Sequence, residues 1–212
     1  MDPQSKKTAL RMIPYGLYVL TAESPTGAVA ASTVNWVTQA SFEPPLVAVG
    51  VKKDSGAHAL IQEAKTFALN VLGKGQQGLA FKFFKSLERE GDSIGGEKFT
   101  KGTSGAPILA STIAAIECRL VETIERGDHS IFLGEVVDAR IAQAPTGRAD
   151  DATLILKDLG ETTFYGGLAR AARAVTAICP RASRPCRSGP RSRRRCRRRS
   201  GTGSRSRASG PS

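Results

Sequence analysis

The sequence predicts a mainly β protein, a β-barrel with inserted helices, followed by an arginine-rich tail. Three observations predict it. Short runs rich in β-branched and aromatic residues recur from residue 15 to residue 156. Turn signals join neighbouring runs, so consecutive strands return antiparallel. Only two or three segments carry helical spacing, and they do not alternate with strands as a doubly wound sheet requires.

Residues 15–22, YGLYVLTA, read as the first strand, and Ser24-Pro25-Thr26-Gly27 supplies the Pro and Gly of a tight turn. Residues 28–41 read as one returning strand, stopped at Pro44-Pro45 because neither proline donates a backbone N–H. The apolar run 46–51, LVAVGV, suits a strand buried on both faces. Asp54 or Ser55 can cap a helix reaching Ala64. A strand at 66–72, TFALNVL, and a short helix at 76–84 follow, and the polar, glycine-bearing stretch 88–104 reads as a long surface loop. Residues 113–124 and 130–141 are strands joined by the hairpin signal Glu125-Arg126-Gly127-Asp128, and 154–156 add a short strand.

Charge divides the chain. The net charge is +12, but residues 168–212 hold 14 Arg and no Lys, Asp or Glu, leaving 17 basic against all 19 acidic residues in 1–167. The first part has a globular composition; in the second no apolar period survives, and it is expected to be disordered. Two readings compete for the tail. Its arginines suit non-specific, salt-dependent binding to nucleic acid or another anionic surface, although stacking aromatics for base recognition are missing. Equally, an Arg, Gly, Pro, Ala and Ser composition is what GC-rich DNA encodes out of frame, and this reading is preferred. Cys179, Cys186 and Cys196 in the tail lack C-x-x-C spacing, so no metal is assigned.

No run of about 18 apolar residues indicates a membrane span, and the first 16 residues lack the apolar core of a secretory signal. Cys118 is the only cysteine of 1–167, which suits a reducing compartment, so the expected location is cytoplasmic. Phosphate-binding G-x-x-x-x-G-K-[ST], dinucleotide G-x-G-x-x-G, zinc H-E-x-x-H and nucleophile G-x-S-x-G motifs are all lacking. With His58 and His129 as the only histidines, a three-histidine zinc site is excluded. Chemistry, if the chain performs any, belongs to a bound organic cofactor. The stretch 30–45, AASTVNWVTQASFEPP, carries more hydrogen-bonding side chains than a core strand needs. One edge of it is expected to face a flat, polar-rimmed ligand.

Six motifs in order, YGLYVLT (15–21), NWVTQASFEPPLV (35–47), K-x-S-x-x-H (53–58), FALNVL (67–72), GDHSIFLGEV (127–136) and FYGG (164–167), resemble the flavin reductase-like family. The resemblance covers nearly all of 1–167 and none of the tail. It implies an FMN-binding split barrel at 1–167 that forms a homodimer, with one flavin per subunit, FMN or FAD, near the dimer interface. It implies hydride transfer from NADH or NADPH to the flavin, and electrons passed to free flavin, a partner oxygenase or another redox protein.

The resemblance also implies which residues serve the flavin. Thr33, Val34, Asn35, Trp36, Thr38, Gln39 and Ser41 meet the ring, through side chains and backbone amides. Trp36 either packs on the ring or lines the partner interface. Lys53, Ser55 and His58 serve the phosphate, at a helix N-terminus where free N–H groups favour anions. Ala57 stands where many relatives carry Thr or Ser, so one phosphate contact is missing or replaced by His58. His129 is the expected active-site histidine, with Asp128 structural. Tyr165 closes over the flavin or the partner subunit, or else plugs the barrel. Two alternatives stand beside the reductase reading: a flavoredoxin-type electron carrier reduced by a protein partner, and a nucleic-acid-binding protein acting through the tail.

Overall fold

A computed structural model of the chain describes residues 1–160 and Thr163. The expectations for Tyr165, for the FYGG motif and for the tail 168–212 lie outside the described residues.

The chain opens with a helix that the sequence reading did not foresee, α1 (Pro3–Arg11), although its cap signals are present. Asp2 accepts from the Ser5 N–H and Pro3 occupies the first turn, where its missing N–H costs nothing. None of α1 is buried. The first hairpin, β1 (Tyr18–Glu23) and β2 (Val29–Val34), forms as expected around the 24–27 turn. There Gly27 adopts a positive φ of 87° and donates to the Ser24 carbonyl.

The single strand expected at 28–41 is two strands. β2 pairs with β1, whereas β3 (Val37–Ser41) pairs with β4 (Leu46–Lys52). The seven-stranded antiparallel sheet also contains β5 (Thr66–Val71), β10 (Ala114–Glu125) and β11 (His129–Ile141), in the order β2-β1-β5-β10-β11-β4-β3. β2 and β3 are therefore its two edges, yet only Asn35 and Trp36 lie between them. Three Cα steps reach about 11 Å, whereas a flat seven-strand sheet would separate its edges by about 29 Å. The sheet must curl, and the corner at 35–36 draws its edges together into a barrel.

The interior confirms the closure. Leu20, Val34, Val49, Phe67, Cys118 and Phe132, from six different strands, share one core with Ala57 and Ile61 of α2 (Gly56–Ala64). Ser55 caps α2 by accepting from the His58 N–H, and Lys65 ends it in the left-handed conformation. The helix expected at 76–84 is α3 (Gln77–Lys82).

The stretch 88–104, read as a loop, is instead built into a small second sheet of β6 (Arg89–Glu90), β7 (Ser93–Ile94), β8 (Glu97–Lys101) and β9 (Pro107–Leu109). It looked like a loop because its strands are short and mostly polar. What orders it is tertiary: Ile94, Phe99 and Leu109 enter a second core with Leu17, Val19 and Phe83. The buried Glu23 carboxylate also pairs with Arg89 and Lys101. In place of the strand expected at 154–156, Ile155 forms an isolated bridge with Gly16 and Thr153 another with Gly73, after α4 (Ala149–Ala152), and Leu156 begins a 3-10 turn (Leu156–Leu159). Among the described residues no helix is long and apolar enough to cross a membrane.

Candidate functional site

Strand alternation builds the site. Val47, Val49 and Val51 of β4 point into the barrel, so Ala48, Gly50 and Lys52 point outward. On that outer face Thr38, Ala48 and Leu133 lie side by side, Gly50 lies beside Ile131, and Lys52 beside His129. Ala48 and Gly50 form a low floor in this row.

Trp36 stands over that floor. Its carbonyl accepts from the Gly50 N–H at 2.8 Å, and a Cβ on Gly50 would lie 2.9 Å from the indole Cε3. The indole meets the His129 imidazole with ring centroids 4.5 Å apart and planes at 47°, and remains 37% exposed. His129 Nδ1 lies 3.0 Å from the Asp128 carboxylate, which fixes the orientation of the ring. That hydrogen bond is the main cause holding the Asp128 carboxyl below its ordinary value. The Asp128 carbonyl also accepts from the Lys53 N–H, joining the 125–129 turn to the 52–55 loop. Three separate segments thus converge: the 35–36 corner, the 52–55 loop and the β10–β11 turn. Replacing Gly50 by alanine is expected to push the indole off His129, read as a shifted Trp36 emission and weaker flavin binding with the fold intact. Unchanged emission would show that the floor does not position Trp36.

Asn35 is the other unusual residue. It is 3% exposed, yet neither its amide nitrogen nor its amide oxygen has a hydrogen-bond partner among the described residues. Such a group costs about 1–3 kcal/mol for each missing partner. Its amide carries a donor group and an acceptor, the kinds of partner that a flavin pyrimidine edge needs, and it adjoins Trp36 in the chain. The residues present therefore fit the expected cofactor.

The remaining expected site residues divide. Thr38 and Gln39 are exposed on the β3 edge and Ser41 is half-buried at its end; the side chains of Thr38 and Gln39 make local hydrogen bonds, to the Gln39 and Ser41 carbonyls. Thr33 is turned away from the floor, its Oγ1 donating to the Ala80 carbonyl at 2.8 Å and its N–H to that of Phe83. Val34 is in the core. Ser55 Oγ accepts from the His58 N–H and donates to the Lys52 carbonyl, so capping uses it. Lys53 reaches Glu125 at 3.7 Å, and Ala57 is fully buried.

His58 faces the interior. Its Nε2 is 2.8 Å from Ser130 Oγ, and its ring meets Phe132 edge-on at 5.0 Å. Burial, partly opposed by the Glu125 charge, holds its pKa below the ordinary 6.5. The unfolded chain therefore protonates first on acidification. The stability carried by neutral His58 is present above pH 6.5 and is lost as pH falls through the lowered native value. Urea midpoints at pH 7.5 and 5.5 should show this loss for the wild type, and less of it for His58→Gln. An equal pH dependence in both would refute it.

Two features were not legible in the sequence. One is the Gly50 floor. The other is a cavity of about 820 Å³ between α1 and Ile155, Leu156, Lys157, Gly160 and Thr163, which Trp36 also lines; it depends on the helix that was not foreseen. Cys118 takes no part, since burial and then the Glu117 charge push its thiol up to about 12. Among the described residues no three His, Cys, Asp or Glu side chains are grouped to hold a metal.

Comparison with known proteins bears on this arrangement. Residues 10–158 match the flavin reductase like domain. The chain is 30% identical over 169 residues to the flavin reductase of Pseudomonas putida, covering 80% of this chain and 92% of that one. It is 37% identical over 139 residues to diflavin flavoprotein A 1 of Synechocystis, covering 64% of this chain but 24% of that longer protein. The chain thus spans about a quarter of the length of that relative. Among solved structures, the NADH:FAD oxidoreductase of Streptomyces globisporus superimposes with a TM-score of 0.56 at 33% identity, covering 66% of this chain and 86% of that one.

Proposed function

The chain belongs to the flavin reductase-like family, and from that premise we propose that it is an FMN-dependent flavin reductase. In this reading it transfers a hydride from NADH or NADPH to flavin and passes the electrons to free flavin, a partner oxygenase or another acceptor. One observation carries the reading. The Trp36–His129 pair stands over the low floor of Ala48 and Gly50 at one corner of a family fold, where a flat heteroaromatic ring would pack on it, and the orphaned amide of Asn35 adjoins Trp36 in the chain.

A bound flavin supplies the hydride acceptor and the electron store; the chain supplies place and charge. Asn35 and exposed groups of Thr38, Gln39 and Ser41 bind the polar rim. Trp36 orients the ring. His129, its ring fixed by Asp128, would position the reacting partners and, when both ring nitrogens carry protons, would offer Nε2–H to the charge that a bound flavin gains on reduction. Lys52, Lys53 and the capped start of α2 attract the phosphate. Exposed Val121, Ile124, Ile131 and Val137 on β10 and β11 support a homodimer formed across this outer face.

An absorption spectrum of the full chain with FMN, followed by anaerobic addition of NADH or NADPH, tests the proposal. Bound flavin that bleaches rapidly supports it; neither binding nor flavin-dependent NAD(P)H oxidation would end it. The domain's place within a longer diflavin flavoprotein favours one second reading, an electron carrier reduced by a protein. That predicts bound flavin which NAD(P)H does not bleach.

A further inference from the structure

The cavity beneath α1 lies outside the flavin corner but shares a wall with it. Trp36 contacts His129 and also lines the cavity. Lys6, Lys7 and Arg11 enter it from α1, and Lys157 enters from the 3-10 turn. No acidic residue is found among its described lining residues. Between the cations lie apolar side chains, including Leu10, Ile13 and Leu156, of which Leu10 and Ile13 are half exposed. Its volume of about 820 Å³ falls within the about 300–1,000 Å³ of small-molecule sites.

A ligand complementary to these walls has a flat apolar body and several negative charges. The geometry points to the adenosine diphosphate half of a dinucleotide, its pyrophosphate among Lys6, Lys7, Arg11 and Lys157 and its adenosine on the apolar residues. A dinucleotide with its redox ring near His129 would cross the shared Trp36 wall to reach this cavity. This assignment rests on the reductase reading, because it supplies the site for the half of the substrate that does not react. Two sources share this chemistry: the nicotinamide co-substrate, and FAD in place of FMN.

Trp36 is the only tryptophan of the chain, so its emission reports on the cavity directly. ADP added to the full-length protein without flavin should change that emission saturably, and added salt should weaken the effect. The double variant Lys6→Gln, Lys7→Gln should bind ADP about tenfold more weakly, as expected when charge-assisted contacts are lost. Lys157→Gln, on the opposite wall, tests the same site independently of α1. If the ligand is the co-substrate, KM for NADPH or NADH rises about tenfold in both variants while kcat and FMN affinity hold. If it is FAD, FAD affinity falls and FMN affinity does not. Emission unaffected by ADP, with KM values and FAD affinity unchanged in both variants, would overturn the inference. ADP binding without any flavin-dependent oxidation would instead uphold the site and remove the reductase activity.

Discussion

Replacing Asn70 by alanine lowers the unfolding free energy by about 3–5 kcal/mol. Asn70 is fully buried in β5. Its Nδ2 donates to the Val19 carbonyl and to Thr21 Oγ1, both at 3.0 Å, and its Oδ1 accepts from the Leu109 N–H at 2.8 Å. One side chain thereby ties the second sheet, through β9, to the barrel. Truncation strands the Leu109 N–H in a site without solvent and leaves a cavity beside it. Urea unfolding checks this: the midpoint should fall with the slope little changed. A loss below about 1 kcal/mol would mean that β9 is held by its apolar contacts alone.

Replacing Asn35 by leucine has effects of opposite sign on stability and on binding. The unliganded protein gains about 1–3 kcal/mol, because an orphaned buried amide gives way to an apolar side chain of similar size. Flavin affinity falls by about 10- to 100-fold, since the desolvated donor and acceptor proposed to meet the flavin rim are lost. Thermal melts without flavin and fluorescence titration with FMN measure the two halves separately. Reduced stability together with unchanged FMN affinity would show that a second copy of the chain, rather than the cofactor, satisfies Asn35. That outcome would move Asn35 from the flavin corner to the dimer interface.

The expected hairpins were legible because they depend on neighbouring residues. The 24–27 and 125–128 turns carry their own chemistry, and the strands beside them alternate clearly. Ser55 announced α2 for the same local reason. The corner at Asn35 was not legible, since nothing in VNWV prevents one continuous strand; the break exists because β3 finds its partner in β4, beyond the Pro44-Pro45 stop. The small sheet of β6 to β9 was missed because its order comes from Glu23, Asn70 and a shared apolar core, all distant in the chain. Among the candidate site residues, the polar excess of 30–45 drew attention to the right stretch but could not sort it. Thr33 and Asn35 are two residues apart, yet one binds α3 and the other has no partner among the described residues.

The sequence by itself determined the antiparallel β class, the two main hairpins, the capped helix α2 and the family to which the chain belongs. Those properties are written in spacing, turn residues and motif order, which are local and survive without coordinates. Only the tertiary structure decided that His58 serves Ser130 inside the barrel, that His129 meets Trp36 over Gly50, and that α1 encloses a cationic cavity beside them. Each depends on which residues curling brings together, and a barrel closed through a two-residue corner places neighbours from opposite edges of its sheet.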